Sequence, residues 1–210
     1  MPSQSSHKSS PRSQQKKQQI LQQALMCFVE HGVPGTTIDM IREATQTSVG
    51  SLYHHFGNKD AIVGAVYREG MRDFAMLLKG YLQDLPRGQA LGEQDAKDGV
   101  KALVFANVDW ISQQPLWAQY VFQHRASVVG QAKLNFNADS NLFNSFITNW
   151  FAPYIEGGFI KDYPLELLNA FVTGPVHNYA RHWLAGRHEV PLSEYREDFA
   201  EAAWSAVRSS

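Results

Sequence analysis

Residues 36–60 read Thr36-Thr37-Ile38-Asp39-Met40-Ile41-Arg42-Glu43-Ala44-Thr45-Gln46-Thr47-Ser48-Val49-Gly50-Ser51-Leu52-Tyr53-His54-His55-Phe56-Gly57-Asn58-Lys59-Asp60. Thr36-Thr37-Ile38-Asp39 has the Ser/Thr-x-x-acid spacing that satisfies the free amides of a helix start, so a short helix is predicted from there to about Thr45. Gln46, Thr47 and Ser48 interrupt it. Thr47 or Ser48 can cap a third helix whose Val49, Leu52 and Phe56 fall near one face, and Gly57-Asn58 ends it. The polar residues here are small hydroxyls, a phenol and imidazoles: Thr47, Ser48, Ser51, Tyr53, His54 and His55. A merely solvated helix would carry Glu, Lys and Arg, and none stands between Ser48 and Phe56. Freedom from acid is what proximity to phosphate requires. Short helices joined by a turn of about three or four residues can place one helix in a major groove while another crosses the backbone.

Upstream, Ile20, Leu21, Ala24, Leu25, Phe28 and Val29 recur at three- and four-residue steps and predict a helix from about Ser13 to Glu30, broken by Gly32, Pro34 and Gly35. Downstream, Asn58 can cap a fourth helix from Lys59 toward Leu82. Gln83 to Gly99 reads as a loop, followed by helices over Val100–Ser112 and after Pro115, a proline suited to a first turn. A Gly/Asn-containing stretch near 130–140 precedes an apolar helix from Leu142 to Tyr154, which Gly157-Gly158 stops. Pro164 opens a helix over Leu165–Leu184, kinked at Gly174-Pro175, and Leu192–Val207 makes the last. Neither a β-hairpin, a βαβ alternation nor an internal repeat is legible. The expected class is all-α. Residues 1–12 are expected to form a disordered basic arm, 13–58 a three-helix unit with a helix-turn-helix arrangement, and 59–210 a larger helical domain.

Composition excludes several classes. One cysteine in 210 residues permits neither an intrachain disulfide nor a multi-cysteine zinc site. With 44% hydrophobic residues the chain can bury a core. No stretch of about 18 apolar residues occurs and the N-terminus is rich in Gln, Ser and Lys, so neither membrane insertion nor export is expected and the cytoplasm is the predicted location. The net charge of −1 is unevenly spread: residues 1–60 hold six of the 19 basic and four of the 20 acidic side chains. Lys8, Arg12, Lys16 and Lys17 concentrate that excess in a segment that can meet phosphates or a minor groove. No metal or cofactor site is expected. His54 and His55 diverge by about 100° on a helix, His177 and His182 are five apart, and no HExxH occurs. Cys27 reads as buried filler. A phosphate loop, a nucleophile elbow and Rossmann glycines are all missing, so an enzyme is not expected.

Gly32-x3-Thr36-Thr37-Ile38, followed by Ser48-Val49-Gly50-Ser51-Leu52-Tyr53-His54-His55-Phe56-Gly57-Asn58-Lys59-Asp60, resembles the DNA-binding domain of TetR-family transcriptional regulators. The resemblance implies that Thr36 and Thr37 donate to phosphate, that Val49, Gly50, Ser51 and His54 face the major groove, that Tyr53 and His55 contact the backbone, and that Lys59 clamps a phosphate. Thr47 and Ser48 join this set as hydroxyls within reach of the duplex. The sequence departs from the family at Gln46, where glycine is usual, and at Arg42 and Thr45, where small residues are usual. A left-handed Gln46 would cost about 1–2 kcal/mol.

Beyond residue 100, aromatic residues with polar company suggest a pocket for a small organic effector, with Trp110, Trp117, Tyr120, His124, Trp150 and His177 as its candidate residues. Ala170, Val172, Val176, Tyr179, Trp183, Tyr195, Phe199, Ala203 and Trp204 read as a self-complementary face on the last two helices, which in this family pair with their copies. The expectation is a homodimeric regulator, a repressor released from a double-stranded DNA operator by an effector. The alternative is a helical small-molecule-binding or scaffold protein that no longer binds DNA, for which Gln46 is the best support.

Overall fold

The computed structural model describes residues 11–85, 91–129 and 136–209. Ten α-helices stand among them: α1 Pro11–Gly35, α2 Ile38–Thr45, α3 Val49–Phe56, α4 Lys59–Gln83, α5 Glu93–Gln113, α6 Pro115–Val129, α7 Phe136–Glu156, α8 Leu165–Val172, α9 Gly174–Leu184 and α10 Arg196–Val207. A 3-10 turn, Leu192–Tyr195, precedes α10. The only β-type pairing among the described residues is an isolated bridge between Ile160 and Arg208. The chain divides into two compact units inside α4, after Glu69.

The first unit is built around the apolar stripe of α1. Ile20, Leu21, Ala24, Leu25 and Phe28 are buried, as are Ile41 of α2, Leu52 of α3, and Ile62 and Val66 of α4. Helical spacing of these residues on four short elements is enough to close one small core. α1 starts at Pro11, two residues before the predicted Ser13, so Pro11 and Arg12 of the expected arm are helical, while residues 1–10 lie outside the described residues. Gly32 is non-helical, with φ 71°, a conformation that glycine adopts at little cost.

In the second unit α5 is central. Ala96, Gly99, Val100, Ala102, Val104, Ala106, Val108 and Ile111 are buried on several of its sides, as expected of a helix surrounded by others. Ala200, Ala203, Trp204 and Val207 of α10 are buried too. Polar links span this pair of helices at its edge: Lys97 to Glu201 (2.9 Å), Lys101 to Glu197 (2.7 Å), and Arg196 to Asp109 through two bonds of 3.0 Å each.

Several elements differ from the sequence expectation. α5 begins at Glu93, not Val100, because Asp95 accepts the Gly92 N–H (3.1 Å) and opens the helix within a run too polar to show periodicity. α7 begins at Phe136, inside the stretch read as a Gly/Asn interruption, of which residues 130–135 lie outside the described residues. Pro175 does not kink a continuous helix. α8 ends at Val172 and α9 starts at Gly174 with the proline in its first turn, where no N–H is required. Of the face assigned to pairing, Val172, Val176, Ala203 and Trp204 are buried within their own unit. Ala170 and Tyr195 are exposed, and Tyr179, Trp183 and Phe199 are partly so.

Candidate nucleic-acid interface

Local hydrogen bonds set the turn between α2 and α3. Thr37 caps α2: its Oγ1 accepts the Met40 N–H (3.2 Å), while Met40 Sδ accepts the Thr37 N–H (3.4 Å). The cap is thus one residue later than the Ser/Thr-x-x-acid spacing suggested. At the end of α2, Gln46 takes φ 50° and ψ 40°, and its N–H and that of Thr47 donate to the Glu43 and Arg42 carbonyls. The turn therefore forms with a side chain where glycine is usual. Ser48 caps α3, its Oγ accepting the Ser51 N–H at 3.2 Å. Gly57 at φ 84° ends α3, and Asn58 Oδ1 accepts the Ala61 N–H (2.8 Å) to start α4.

These caps fix which way α3 faces. At about 100° per residue, Leu52 and Phe56 point into the unit together with the inner edge of Val49, and Gly50, Tyr53 and His54 point away. The burial pattern agrees: Leu52 is buried, Val49, Ser51 and His55 are half-buried, and Gly50, Tyr53 and His54 are exposed. Ser48 and Thr37 are exposed at the starts of their helices, and Lys59 is half-buried at the start of α4. Burial lowers the His55 pKa first, and the nearby positive charges of His54, Lys17 and Lys16 lower it further.

Two residues predicted for this surface lie elsewhere. Thr36 is 1% exposed, and its hydroxyl is directed at the Cys27 (3.0 Å) and Gly32 (2.8 Å) carbonyls. It closes the break after α1, so its hydroxyl does not face a phosphate. Thr47 is 7% exposed and donates to the Thr45 carbonyl (3.1 Å). Both are hydroxyls beside a chain reversal, where bonding to nearby carbonyls competes with outward display. Arg42 pairs with Asp39 (3.3 Å) and Glu43 (2.8 Å), exposed contacts worth about 0–1 kcal/mol each. Thr45 donates its hydroxyl back to the Ile41 carbonyl at 2.8 Å.

A family profile described as bacterial regulatory proteins, tetR family, matches residues 20–66. Those residues are similar to the N-terminal domain of TetR-family regulators. The HTH-type transcriptional repressor AcnR of Corynebacterium glutamicum is 26% identical over 182 residues, 85% of this chain and 87% of that protein. AcnR of Corynebacterium efficiens is 45% identical over 53 residues, 25% of this chain and 28% of the relative. Among solved structures, a TetR family transcription regulator from Marinobacter aquaeolei has a TM-score of 0.78 at 20% identity, over 95% of this chain and 98% of that one. At that identity the likeness carries the fold. These relatives are transcriptional regulators, not enzymes, and TetR-family regulators bind DNA operators and dimerise.

In the second unit the six residues singled out for a pocket fall into several contacts. Trp110 Nε1 donates to Asp73 Oδ2 on α4 (3.0 Å), and Trp117 packs so closely on Gly70 of α4 that a Cβ there would stand 2.9 Å from its ring. Tyr120 is fully buried, with its ring 4.6 Å from that of His124. Burial raises the Tyr120 pKa and lowers that of His124. Trp150 stacks on Tyr154 (5.1 Å), and its buried indole N–H has no hydrogen-bond partner among the described residues. His177 Nε2 meets Asn107 Oδ1 at 2.8 Å. Asn107 spends its amide N–H on the Leu103 carbonyl (2.8 Å), so His177 is the donor in that pair. A groove of about 610 Å³ is lined instead by Met76, Leu77, Gly80, Tyr81, Asp84, Leu85, Asp98, Lys101, Ala102 and Phe105. Its residues alternate between apolar and charged, and nothing in their spacing separates them from an ordinary solvated helix edge. No helix among the described residues is long and apolar enough to cross a membrane.

Proposed function

We propose that this protein is a homodimeric repressor in the cytoplasm, that α3 of each copy reads one half of a near-palindromic operator, and that a small organic effector releases it. The observation that carries the reading is the outward face of α3: Gly50, Tyr53 and His54 exposed, Ser51 and His55 at its edges, and no acid among them. Thr37, Ser48 and Lys59 stand at the flanks for phosphate, while Val49 offers an apolar edge to a thymine methyl. One short helix reads only a few base pairs, so a symmetric pair with half-sites about 34–36 Å apart supplies the rest. The exposed remainder of α8, α9 and the region before α10 is our choice for the pairing face. Leu167 and Phe171 are each 38% exposed and Tyr195 is 37% exposed, which is unusual cover for large apolar groups.

The effector reading rests on α4. Trp110 holds Asp73 and Trp117 seats against Gly70, so a molecule that displaces either ring acts on the helix that begins beside the reading surface. Such a ligand shifts the protein off DNA by its preference for the released conformation and by no more. The test is selection of duplexes from random DNA, followed by titration of the selected operator at several salt concentrations. A selected palindromic site, bound by two chains with strong salt dependence, is the expected result. Binding that ignores both sequence and salt refutes the reading. Co-purified small molecules identified by mass spectrometry and returned to the complex should dissociate it.

A further inference from the structure

Between the last turns of α4 and the first half of α5 lies a groove of about 610 Å³, a volume that suits a small organic molecule. It is separate from the ring contacts of Trp110 and Trp117. Asp73, the α4 partner of Trp110, precedes Gly80 of the groove by seven residues, about 10 Å of helix rise. One wall is tied to the rest of the unit: the Tyr81 hydroxyl donates to Asp109 Oδ2, and Arg196 Nη2 donates to the same phenol oxygen (3.1 Å).

Apolar and acidic residues are sorted along the groove. On α4, Met76 and Leu77 come one turn before Gly80 and Tyr81, and Asp84 comes one turn after; on α5, Asp98 comes one turn before Lys101, and Phe105 one turn after. Asp73 near the middle of α4 meets Trp110 near the end of α5, so the two helices run antiparallel. Asp84 and Asp98 therefore share one end of the groove, and Met76, Leu77 and Phe105 the other. Charge is one-sided as well. Among the described residues that line it, Lys101 is the one cation, and its ammonium is held by Glu197 (2.7 Å) and Glu201 (3.3 Å) of α10. Asp98 accepts the Gln94 amide (2.8 Å), and neither Asp98 nor Asp84 has an ion pair among the described residues. The floor is open at Gly80, where a Cβ would meet nothing within 4 Å. Met76 is 58% exposed, and a thioether left in that way makes favourable contacts with rings.

We propose that this groove is a binding site for an organic monocation with an apolar body, its ammonium at Asp84 and Asp98 and its body against Met76, Leu77 and Phe105. Charge complementarity chooses the sign. A carboxylate at the acidic end would meet two unpaired negative charges, while Lys101 is already neutralised. The Arg196 guanidinium carbon lies 3.6 Å from the Phe105 ring centroid, so that ring has its cation and the ligand's charge belongs at the acids. The site needs neither DNA binding nor displacement of Trp110 or Trp117, and it stands or falls without them.

The probes are phenylbutylammonium, phenylbutanoate and phenylbutanol, which share one body and differ in charge. An ordinary alkylammonium, with a pKa of about 10.4, is fully protonated at neutral pH. Calorimetry reads affinity, and carbon-labelled methionine methyl groups read place by nuclear magnetic resonance. The Met76 signal should shift with the ammonium, while those of Met26 on α1 and Met40 on α2 stay where they are. The ammonium should bind about tenfold tighter than the alcohol, as two partly exposed charge contacts allow, and the carboxylate more weakly than either. In Asp84→Asn/Asp98→Asn the ammonium should fall to the affinity of the alcohol, which itself keeps its wild-type value. Gly80→Leu favours the helix, fills the open floor and should abolish binding of both; circular dichroism and thermal melts confirm its fold. Equal affinity of ammonium and alcohol in the wild type overturns the proposal, as do a carboxylate that binds best and binding that leaves Met76 unmoved. Wild-type ammonium affinity in either variant overturns it too, and so does an ammonium that fails to bind at millimolar concentration.

Discussion

Gly50 on α3 and Gly99 on α5 are both helical glycines, and they have opposite surroundings. A Cβ built on Gly50 finds nothing within 4 Å, whereas one on Gly99 would stand 2.2 Å from the Trp150 ring. In the first unit the missing side chain leaves room for something that is not this chain. In the second, the chain's own tryptophan has taken the room. Rings divide in the same way. Tyr53 is 49% exposed on α3, whereas Trp110 (5%) and Tyr120 (0%) are enclosed. Of these three rings, the one on α3 is displayed and the two of the second unit are packed.

The sharpest way to break this contrast is the same substitution in both places. Gly99→Ala should destabilise the second unit by about 3 kcal/mol, the upper part of the range for overpacking, because a buried indole cannot retreat. Urea unfolding reads this directly. Gly50→Ala should leave stability unchanged or raise it by about 0.5–1 kcal/mol, yet weaken operator binding roughly tenfold, equivalent to about 1.4 kcal/mol. Equal destabilisation by the two changes would erase the distinction drawn between a surface and a core.

His54→Ala should come next in size. A side chain that reads a base edge is worth about 1–3 kcal/mol of discrimination, so the preference for the selected duplex over a scrambled one should fall by roughly ten- to a hundredfold. The melting temperature should not move, because His54 is exposed. A large loss of stability without loss of preference would make His54 a structural residue and leave α3 without its central polar group.

What was legible in the sequence follows the same divide. The reading unit is set by local rules, namely the cap at Ser48, the cap at Asn58 and the apolar step of α1 and α3, and each of these can be read within about a turn. Thr36 was misjudged because its hydroxyl bonds to the Cys27 carbonyl, nine residues away, which no capping pattern contains. The second unit is held by partners far apart in the chain, such as Asn107 with His177 and Asp109 with Arg196. Aromatic residues of one composition serve there as core and as candidate pocket, so spacing cannot sort them. That is why the groove beside Tyr81 and Lys101 was not anticipated.

Gln46 sharpens the comparison at a smaller scale, since it is the one described non-glycine residue with positive φ, at 50°. Gln46→Gly should remove most of the left-handed penalty of about 1–2 kcal/mol. Glycine's larger unfolded-state entropy offsets part of that gain, leaving a net stabilisation of about 0.5–1 kcal/mol. Chemical denaturation of the intact protein reads it. Operator affinity should change little, because the backbone of the turn is already in place.

The smallest effect belongs to the enclosed rings of the second unit. Burial lowers the His124 pKa below its ordinary value, so the folded protein holds this imidazole neutral in a range where the unfolded chain protonates it. Between the two values the unfolded state binds more protons, and stability rises with pH through that window. The contribution is therefore complete above the ordinary histidine value of about 6.5 and is lost as pH falls through the lowered one. Melting followed from pH 7.5 down to pH 5 should show a decline that His124→Gln reduces, because glutamine keeps polarity but cannot take up the proton. A decline of the same size in His124→Gln and the wild type would mean that enclosure of this ring does not set the pH dependence.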